Sequence, residues 1–159
     1  MSMFLCLESD QKLRGNLLHP NNTAASFTCS LPEHFSLATF GRGCWHLGLV
    51  ELTLPPIKTG RKWDALYVCC SGCELSCIGQ SYRPVVASLS VGEIKRNNFV
   101  RFPSVELVPL RVNSLDEVTV EICGKEGEIF QELNTQNPEY TSKCTFILQW
   151  RAYTNPQLP

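Results

Sequence analysis

Apolar and polar residues alternate along most of the chain with a period of two. The segment ASFTCSL, residues 25–31, places Phe27 and its apolar neighbours on one face and serine and threonine on the other. The segments EVTVEIC, residues 117–123, and CTFILQWRAY, residues 144–153, repeat the pattern, with Trp150 on the apolar face of the second. This period is typical of half-buried β-strands, in which successive side chains point to opposite faces. The alternation therefore predicts a β-protein.

The alternation and the turn residues between the segments predict eight strands. They cover residues 25–31, 44–54, 65–70, 74–78, 84–91, 99–110, 117–123 and 144–153. The second predicted strand has Trp45 on one face and Leu52 on the other, which indicates a central strand covered on both sides. Pro103 and Pro109 interrupt the sixth, and we place it at a sheet edge because proline has no N–H for the ladder. A short helix is expected within residues 126–133.

The predicted strands also limit the architecture of the domain. Eight antiparallel strands need two packed sheets or a closed barrel to bury their apolar faces. The predicted connections range from two residues to about twenty, which favours a jelly roll over an up-and-down barrel with uniformly short hairpins. We therefore expect an all-β fold, an eight-stranded antiparallel single jelly-roll β-sandwich. Residues 21–153 form the predicted jelly-roll domain, residues 1–20 a short, loosely tied N-terminal segment, and residues 154–159 a C-terminal tail.

Composition and charge narrow the function classes. The 159 residues suit a single domain, with 43% apolar residues, 18% charged residues and a formal net charge of -1. The basic residues do not cluster beyond the pairs Arg61-Lys62 and Lys95-Arg96, which we interpret as solvated surface. Because a nucleic-acid-binding protein needs a clustered excess of lysine and arginine, no specific nucleic acid is expected as a partner.

The apolar runs in the chain are short. The N-terminal stretch MSMFLCLESDQK has no basic region before its apolar patch, so no signal peptide is predicted. No run reaches the length needed to cross a bilayer, so no membrane span is predicted either. We therefore expect the chain to stay in a reducing compartment, where its nine cysteines act as small buried hydrophobic residues.

Four cysteines, Cys69, Cys70, Cys73 and Cys77, lie close together in the segment DALYVCCSGCELSC. A zinc site needs four converging ligands; Cys70-x-x-Cys73 supplies one pair, but no second Cys-x-x-Cys occurs and the histidines are isolated. Cys69 and Cys70 are adjacent in a predicted strand and must point to opposite faces. We therefore predict no metal ligands and interpret the segment as a β-hairpin, with a strand to Cys70, the turn SGCE and a strand to Ile78.

No other residue pattern indicates catalysis or cofactor binding. His46 is interpreted as a half-exposed strand residue, and Glu51 has no carboxylate partner at a spacing that suggests acid–base catalysis. The segment Gly41-Arg42-Gly43 is interpreted as a turn, and neither a phosphate-binding loop nor a Gly-x-Ser-x-Gly motif occurs. We therefore predict no catalytic, cofactor-binding or metal-binding residues, no cofactor and no enzymatic activity.

The order of segments resembles that of a known viral family. HPNNTAASFTCSLPEHFSL followed by CWHLGLVELTLPP is similar to a strand N-T-x-x-x-F-x-x-x-L-P that leads to a strand W-x-x-x-L-x-E-x-x-x-P. LYVCC, YRPVVASLSV, VRFPSVELVPLRVNSLDEVTVEICGKEGEIF and CTFILQWRAY then follow in the family's order. The family is the penton-like minor capsid protein of Polinton/Maverick elements and of adintovirus- and adomavirus-like animal DNA viruses. The chain differs from it in its many cysteines, in lacking an Asp-rich segment after Ile122 and in its short N-terminal extension.

The resemblance implies a structural role in a virus particle. It implies a single jelly roll that forms a homopentamer at the vertices of an icosahedral capsid. The implied partners are other copies of the chain and the major capsid protein, with a fibre or a receptor as further candidates. The implied location is the virion, after synthesis in the host cytoplasm and assembly in the host nucleus.

Two other function classes are compatible with the residues. One is a soluble β-sandwich binding module of lectin or cytokine type, with its site in the end loops at residues 55–63 and 124–143. The other is a small cysteine-dependent metalloprotein or enzyme built on the cysteine-rich segment. Oligomeric state separates the first from a capsomer, and metal content tests the second.

Overall fold

The structure is a computed structural model that describes residues 2–9, 19–31, 43–57, 65–90, 98–112, 114–137 and 139–153. Within these ranges the chain forms eleven β-strands and one 3-10 turn, Gln131–Leu133. The strands are β1 Ser2–Glu8, β2 Ser26–Ser30, β3 Gly43–Thr53, β4 Ala65–Cys70, β5 Ser76–Ile78, β6 Ser81–Arg83, β7 Val85–Ser90, β8 Phe99–Arg101, β9 Val108–Pro109, β10 Glu117–Cys123 and β11 Lys143–Ala152. No helix in the described ranges is long and apolar enough to cross a membrane.

The strands form two main sheets and a separate hairpin. The first sheet has the order β1-β11-β3-β8, with β9 also paired to β3, and the second has the order β2-β10-β4-β7. β5 and β6 pair with each other. All of these pairs are antiparallel. The all-β fold with antiparallel sheets is therefore confirmed.

The pairing of the strands is nested along the chain. β1 pairs with β11, β2 with β10, β3 with β8, and β4 with β7. The end strands β1 and β2 approach each other at one side of the molecule, where Cys29 Sγ donates a hydrogen bond to the Glu8 carbonyl at 3.3 Å. β7 and the β8–β9 segment end the two sheets at the opposite side.

One hydrophobic cluster joins the two main sheets. Phe146 and Leu47 come from the first sheet, Phe27 and Val120 come from the second, and each of these side chains is almost completely buried. The predicted inward face of residues 25–31 is therefore confirmed. Trp150 is only half-buried at the border of this core, where its ring meets Trp45 edge-on with the ring centroids 5.8 Å apart.

Most of the predicted strands agree closely with the structure. The predictions at residues 65–70 and 117–123 match β4 and β10 to the residue, and those for β2, β3, β7 and β11 are within one residue at each end. The predicted edge strand at residues 99–110 is divided into β8 and β9, with Pro103 between them, and β8 ends the strand order of its sheet. The helix expected within residues 126–133 is reduced to the 3-10 turn.

The N-terminal prediction is wrong for residues 2–8. These residues form β1, which pairs along its whole length with β11, and Leu7 is buried in the core. The run MFLCL is apolar at every position, so it lacks the alternation of apolar and polar residues that predicts a strand. The predicted boundary at residue 21 therefore divides residues that belong to the same sheet.

The predicted face of Leu52 is also wrong. Thr145 of β11 pairs with Glu51 and Phe146 pairs with Leu49, so Val50 is an extra residue in β3. Such a bulge inverts the alternation of the residues that follow it. Leu52 therefore points into the same core as Leu49 and is completely buried.

The hairpin predicted for residues 65–78 does not form. β4 pairs with β10 and β7, whereas β5 pairs with β6, a strand in the segment that the sequence suggested was a turn. The chain turns away from β4 at Ser71 and Gly72, where Gly72 has a φ of 83°. Ser71 N–H donates to the Thr119 carbonyl at 2.9 Å, and Cys73 forms a bridge with Leu110. These contacts direct the following residues towards β9 instead of back along β4.

Candidate assembly surfaces and the cysteine cluster

A groove of about 430 Å³ lies on the side where β7 and β9 end the two sheets. It is lined by Tyr67 and by residues 74–78, 85–88 and 106–109. β7 pairs with β4 along one edge, and no described strand pairs with its other edge. An unpaired strand edge beside a groove is a surface on which another chain can pack.

Contacts at one end of the groove hold its two walls together. Glu74 N–H donates to the Pro109 carbonyl at 2.9 Å, and Arg111 N–H donates to the Gly72 carbonyl at 2.7 Å. The side chains of Arg111 and Glu74 form an exposed ion pair. These bonds attach the segment before β5 to β9 and to Arg111 shortly after it, which places the hairpin β5–β6 at one wall of the groove.

The segment that contributes the opposite wall crosses the outer face of β3 at Gly48. A Cβ atom at Gly48 would lie 2.8 Å from the Glu106 carbonyl oxygen and 2.9 Å from Leu107 Cδ2. Phe102 N–H donates to the Val50 carbonyl at 2.9 Å where the segment begins. The missing side chain at Gly48 therefore allows residues 102–107 to lie against the sheet and to place residues 106–109 at the groove.

Large apolar side chains are exposed on both sides of the molecule. Phe4 on β1 is 67% exposed, and Leu75, which lines the groove on the other side, is 60% exposed. Single exposed apolar residues are common on soluble proteins. Phe4 is on β1 at one end of the first sheet, and Leu75 lines the groove beside β7 at the other side. The molecule therefore has two different lateral surfaces, the β1 side and the groove side, which is what a head-to-tail contact between identical subunits requires.

The four clustered cysteines are distributed over different environments. Cys70 and Cys73 belong to the main core, Cys69 belongs to a second, smaller cluster, and Cys77 is exposed on β5. The predicted opposition of Cys69 and Cys70 is thus confirmed. Within the described ranges, no group of three or more His, Cys, Asp or Glu side chains is arranged to hold a metal ion.

The second cluster contains a cysteine pair that the sequence did not indicate. Cys69 Sγ donates a hydrogen bond to Cys123 Sγ at 3.8 Å, and Arg83 Nη2 donates to the same Cys123 sulfur at 3.3 Å. Arg83 also forms an ion pair with Glu121. Ile78 from the hairpin β5–β6 covers the two thiols. Cys69 and Cys123 are far apart in the chain, and only the register of β4 against β10 brings them together.

The contacts of Cys123 make the two thiols chemically unequal. The hydrogen bond from Cys69 and then the bond and charge of Arg83 lower the pKa of Cys123 from 9.0 to about 7, although burial opposes them. The hydrogen bond to Cys123 and burial raise the pKa of Cys69. Cys123 is therefore the thiol that ionises first, while Cys69 keeps its proton and donates it.

The other residues considered for catalysis have structural partners. His46 is half-buried on β3, as predicted, and its Nδ1 lies 3.3 Å from the Cys44 carbonyl oxygen. Glu51 accepts a hydrogen bond from Arg101 Nε at 2.8 Å across β3 and β8, so its partner is a cation and not a second carboxylate. Several residues discussed above lie outside the described ranges: Gly41, Arg42, Arg61, Lys62, Lys95 and Arg96.

The end loop at residues 124–143 is tied to the body of the fold where it is described. Leu133 is buried in the main core, and its carbonyl accepts a hydrogen bond from Ala25 N–H at 3.1 Å. Phe130 N–H donates to the Ile122 carbonyl at 2.8 Å. The groove lies elsewhere, between the hairpin β5–β6 and residues 106–109. Residues 58–63 of the other loop lie outside the part of the chain that is described.

The chain has a weak structural similarity to a known protein and no match to a known family. No protein-family model matches the chain, and no curated protein matches its sequence. Among solved structures, the chain is similar to the crystal structure of Drosophila NLP-core, described in connection with pentamer formation and histone binding, at 12% identity and a TM-score of 0.30. The similarity covers 98% of this chain and 100% of that chain. A TM-score of 0.30 is too low to establish a shared fold, so nothing known of that protein is transferred to this chain.

Proposed function

We propose that this chain is a single jelly roll and a penton-like vertex capsomer, which assembles as a homopentamer in an icosahedral viral capsid. The observation that carries the proposal is the nested pairing of eight strands, β1 with β11, β2 with β10, β3 with β8, and β4 with β7. A long antiparallel hairpin folded over into two packed sheets has this pairing, and that arrangement is a jelly roll. β5, β6 and β9 are additions to it.

The order of the sequence segments supports the viral assignment. The segments that resemble the penton-like family cover all or most of β2, β3, β4, β7, β8, β10 and β11, so the resemblance follows the strands of the proposed jelly roll. Capsomers built on this fold need a rigid wedge that packs beside copies of itself. A two-sheet body with one continuous core is such a unit.

The two lateral surfaces support a ring. A cyclic oligomer above a dimer repeats one contact between two different patches until it closes. In the proposed ring, the β1 side with Phe4 packs against the groove side, with Leu75, of the next subunit. A stable contact of this kind buries on the order of 1,200–2,000 Å². The net charge of -1 keeps electrostatic repulsion between neighbouring subunits small.

The proposed pentamer has further partners in and around the capsid. Its neighbours in the shell would be copies of the major capsid protein, and a fibre or a receptor would contact its outer surface. The proposed location is the virion, reached by synthesis in the host cytoplasm and assembly in the host nucleus. The proposed role is structural and includes no enzymatic activity.

Electron microscopy of particles that contain the chain tests the function directly. The expected result is density for five copies of the two-sheet body at each fivefold vertex. Particles that contain the chain but carry another protein at their fivefold vertices would contradict the proposal. A ligand-bound monomer outside any particle would instead favour a β-sandwich binding module.

A further inference from the structure

The thiols of Cys69 and Cys123 form a site that the proposed assembly does not use. They are adjacent on the outer face of the second sheet and are covered by the hairpin β5–β6. We propose that this pair is an oxidation site, at which a peroxide converts the two thiols into a disulfide that joins β4 to β10. The proposal rests on the geometry of the pair and goes beyond the proposed function.

The register of the two strands places both side chains on one face. Cys69 pairs with Glu121 and Tyr67 pairs with Cys123, so Cys69 and Cys123 are diagonal neighbours across β4 and β10. Their sulfur atoms are 3.8 Å apart, against about 2.05 Å in a disulfide. Diagonal neighbours in a sheet are about 7–8 Å apart, at the upper limit for a disulfide, so closing the gap requires a small movement of β4 against β10 as well as side-chain rotation. No pairing between the strands has to be exchanged.

Arg83 prepares one of the thiols for reaction. Its Nη2 donates to Cys123 Sγ at 3.3 Å, which favours the thiolate, the nucleophilic form of cysteine. The ion pair with Glu121 holds the guanidinium in place. Arg83 Nε is buried and has no hydrogen-bond partner among the described residues, so the guanidinium is not fully satisfied by its present contacts.

The reaction is a two-electron oxidation in two steps. The Cys123 thiolate attacks one oxygen of hydrogen peroxide, an S–O bond forms, the O–O bond breaks, and the departing hydroxide takes a proton to become water. The sulfur of Cys69 then attacks the sulfenic sulfur, the S–S bond forms, the S–O bond breaks, and the proton of Cys69 leaves with the hydroxide as a second water. The two thiols are oxidised, and one peroxide is reduced to two waters.

The other cysteines lack this combination of partners. Cys144 is buried in the main core, and burial raises the pKa of its thiol. The hydrogen bond with Cys73 and burial raise the pKa of Cys70 as well. Cys77 is exposed and donates to the Gly79 carbonyl at 3.6 Å. The pair at Cys69 and Cys123 is therefore expected to yield the intramolecular disulfide.

The hairpin β5–β6 controls access of the oxidant. Its Ile78 is 5% exposed and packs on the two thiols in a cluster that is separate from the main core. A small cluster beneath a two-stranded hairpin opens more readily than a large core. We therefore expect oxidation to follow opening of the hairpin, and Ile78→Ala to accelerate it.

Peroxide treatment of the purified full-length chain tests the proposal. The protein is reduced, exposed to hydrogen peroxide, denatured with an alkylating agent and digested without reductant for mass spectrometry. The expected product is a cross-linked peptide pair that contains Cys69 and Cys123, with a mass lower by two hydrogens and reversible by dithiothreitol. Both cysteines recovered as alkylated thiols, or a different intramolecular pair such as Cys70 with Cys73, would overturn the proposal.

Cysteine-to-serine variants distinguish disulfide formation between Cys69 and Cys123 from oxidation of the other cysteines. Cys69→Ser and Cys123→Ser should each abolish the cross-linked peptide, whereas Cys77→Ser, at an exposed cysteine, should leave its yield unchanged. Because a serine in a buried site can impair folding, the wild-type protein supplies a second measurement. Its melting temperature should rise on the order of 5–15 °C after oxidation and return after reduction. If peroxide oxidises only other cysteines and leaves the melting temperature unchanged, that result would also contradict the proposal.

Discussion

Cys69 and Cys70 are neighbours in β4, yet their side chains lie in different hydrophobic clusters on opposite faces of the second sheet. Cys70 packs between the sheets, and Cys69 packs outward against Cys123 and Ile78. The two thiols cannot bind the same metal ion while β4 remains a strand. The cysteine-rich segment is therefore part of the sheet structure, and its chemistry belongs to a pair that includes a residue from another strand.

Deleting the ring of Phe27 should be far more costly than changing the next residue. Phe27 is 1% exposed between the sheets, and Phe27→Ala should lower the free energy of unfolding by about 3–5 kcal/mol. Thr28 lies on the opposite face, where its hydroxyl is 2.8 Å from that of Thr119, and Thr28→Ala should cost about 1 kcal/mol. Denaturant titration of both variants measures the difference, and equal losses would show that the inward face has been misassigned.

A side chain at position 48 should disturb the segment that borders the groove. Gly48→Ala would place Cβ at 2.8 Å from the Glu106 carbonyl oxygen, which is backbone and cannot rotate away. The expected loss of stability is about 1–3 kcal/mol. Ser88→Ala, a small change at an exposed position of β7, is the control and should be close to neutral. A Gly48→Ala protein as stable as this control would mean that residues 102–107 do not lie against β3.

The stability conferred by Cys123 should depend on pH. The pKa of its thiol is lowered from 9.0 to about 7 by Cys69 and Arg83, so the folded state favours the thiolate. This contribution is fully present above pH 9 and is lost as the pH falls through about 7. The stability of the wild type relative to Cys123→Ser should therefore increase between pH 7 and pH 9, as measured by denaturation at several pH values.

Arg83→Gln provides the matched test of that pH dependence. Without the guanidinium, the pKa of Cys123 should move back towards 9.0, and thiolate absorbance should develop at higher pH than in the wild type. An ionisation midpoint that does not move would show that Arg83 has no influence on the thiol. Circular dichroism should accompany the titration, because Glu121 loses its partner in this variant.

The two lateral surfaces should behave as the two halves of one contact. Phe4→Glu alters the β1 side and Leu75→Glu alters the groove side, so each variant alone should fail to form rings. An equimolar mixture should form a dimer with one copy of each variant, because one intact surface of each kind remains. Tyr153→Glu, at an aromatic residue that is 64% exposed beyond the end of β11, should assemble normally. A mixture that stays monomeric would contradict the head-to-tail contact.

The sequence predicts those parts of the fold that depend on local alternation. The strict alternation of residues 25–31 and 117–123 predicts that Phe27 and Val120 lie on inward faces, and Pro103 and Pro109 predict the edge segment that contains β8 and β9. The sequence does not predict β1, because MFLCL is uniformly apolar. It predicts the wrong face for Leu52, because the bulge at Val50 leaves no local signal in the sequence.

The candidate sites depend on relations between distant residues, which a single sequence does not contain. The Cys69–Cys123 pair depends on the register between β4 and β10. The sequence predicts only that Cys123 lies at the end of a strand. The groove requires the hairpin β5–β6 to leave β4, and the sequence favoured a hairpin that folds back on it. Turns can be identified from local sequence, but the strands that pair on either side of a turn are determined only by the packing of the whole sheet.

The mass of the assembled protein in solution is the most direct test of the proposed capsomer. Native mass spectrometry and light scattering on the full-length chain, up to its highest soluble concentration, should find a closed species of five times the 17.9 kDa chain mass. The pentamer should become more abundant as concentration rises, and Phe4→Glu should remove it while Tyr153→Glu leaves it intact. A stable trimer, or a monomer at every concentration, would contradict the account.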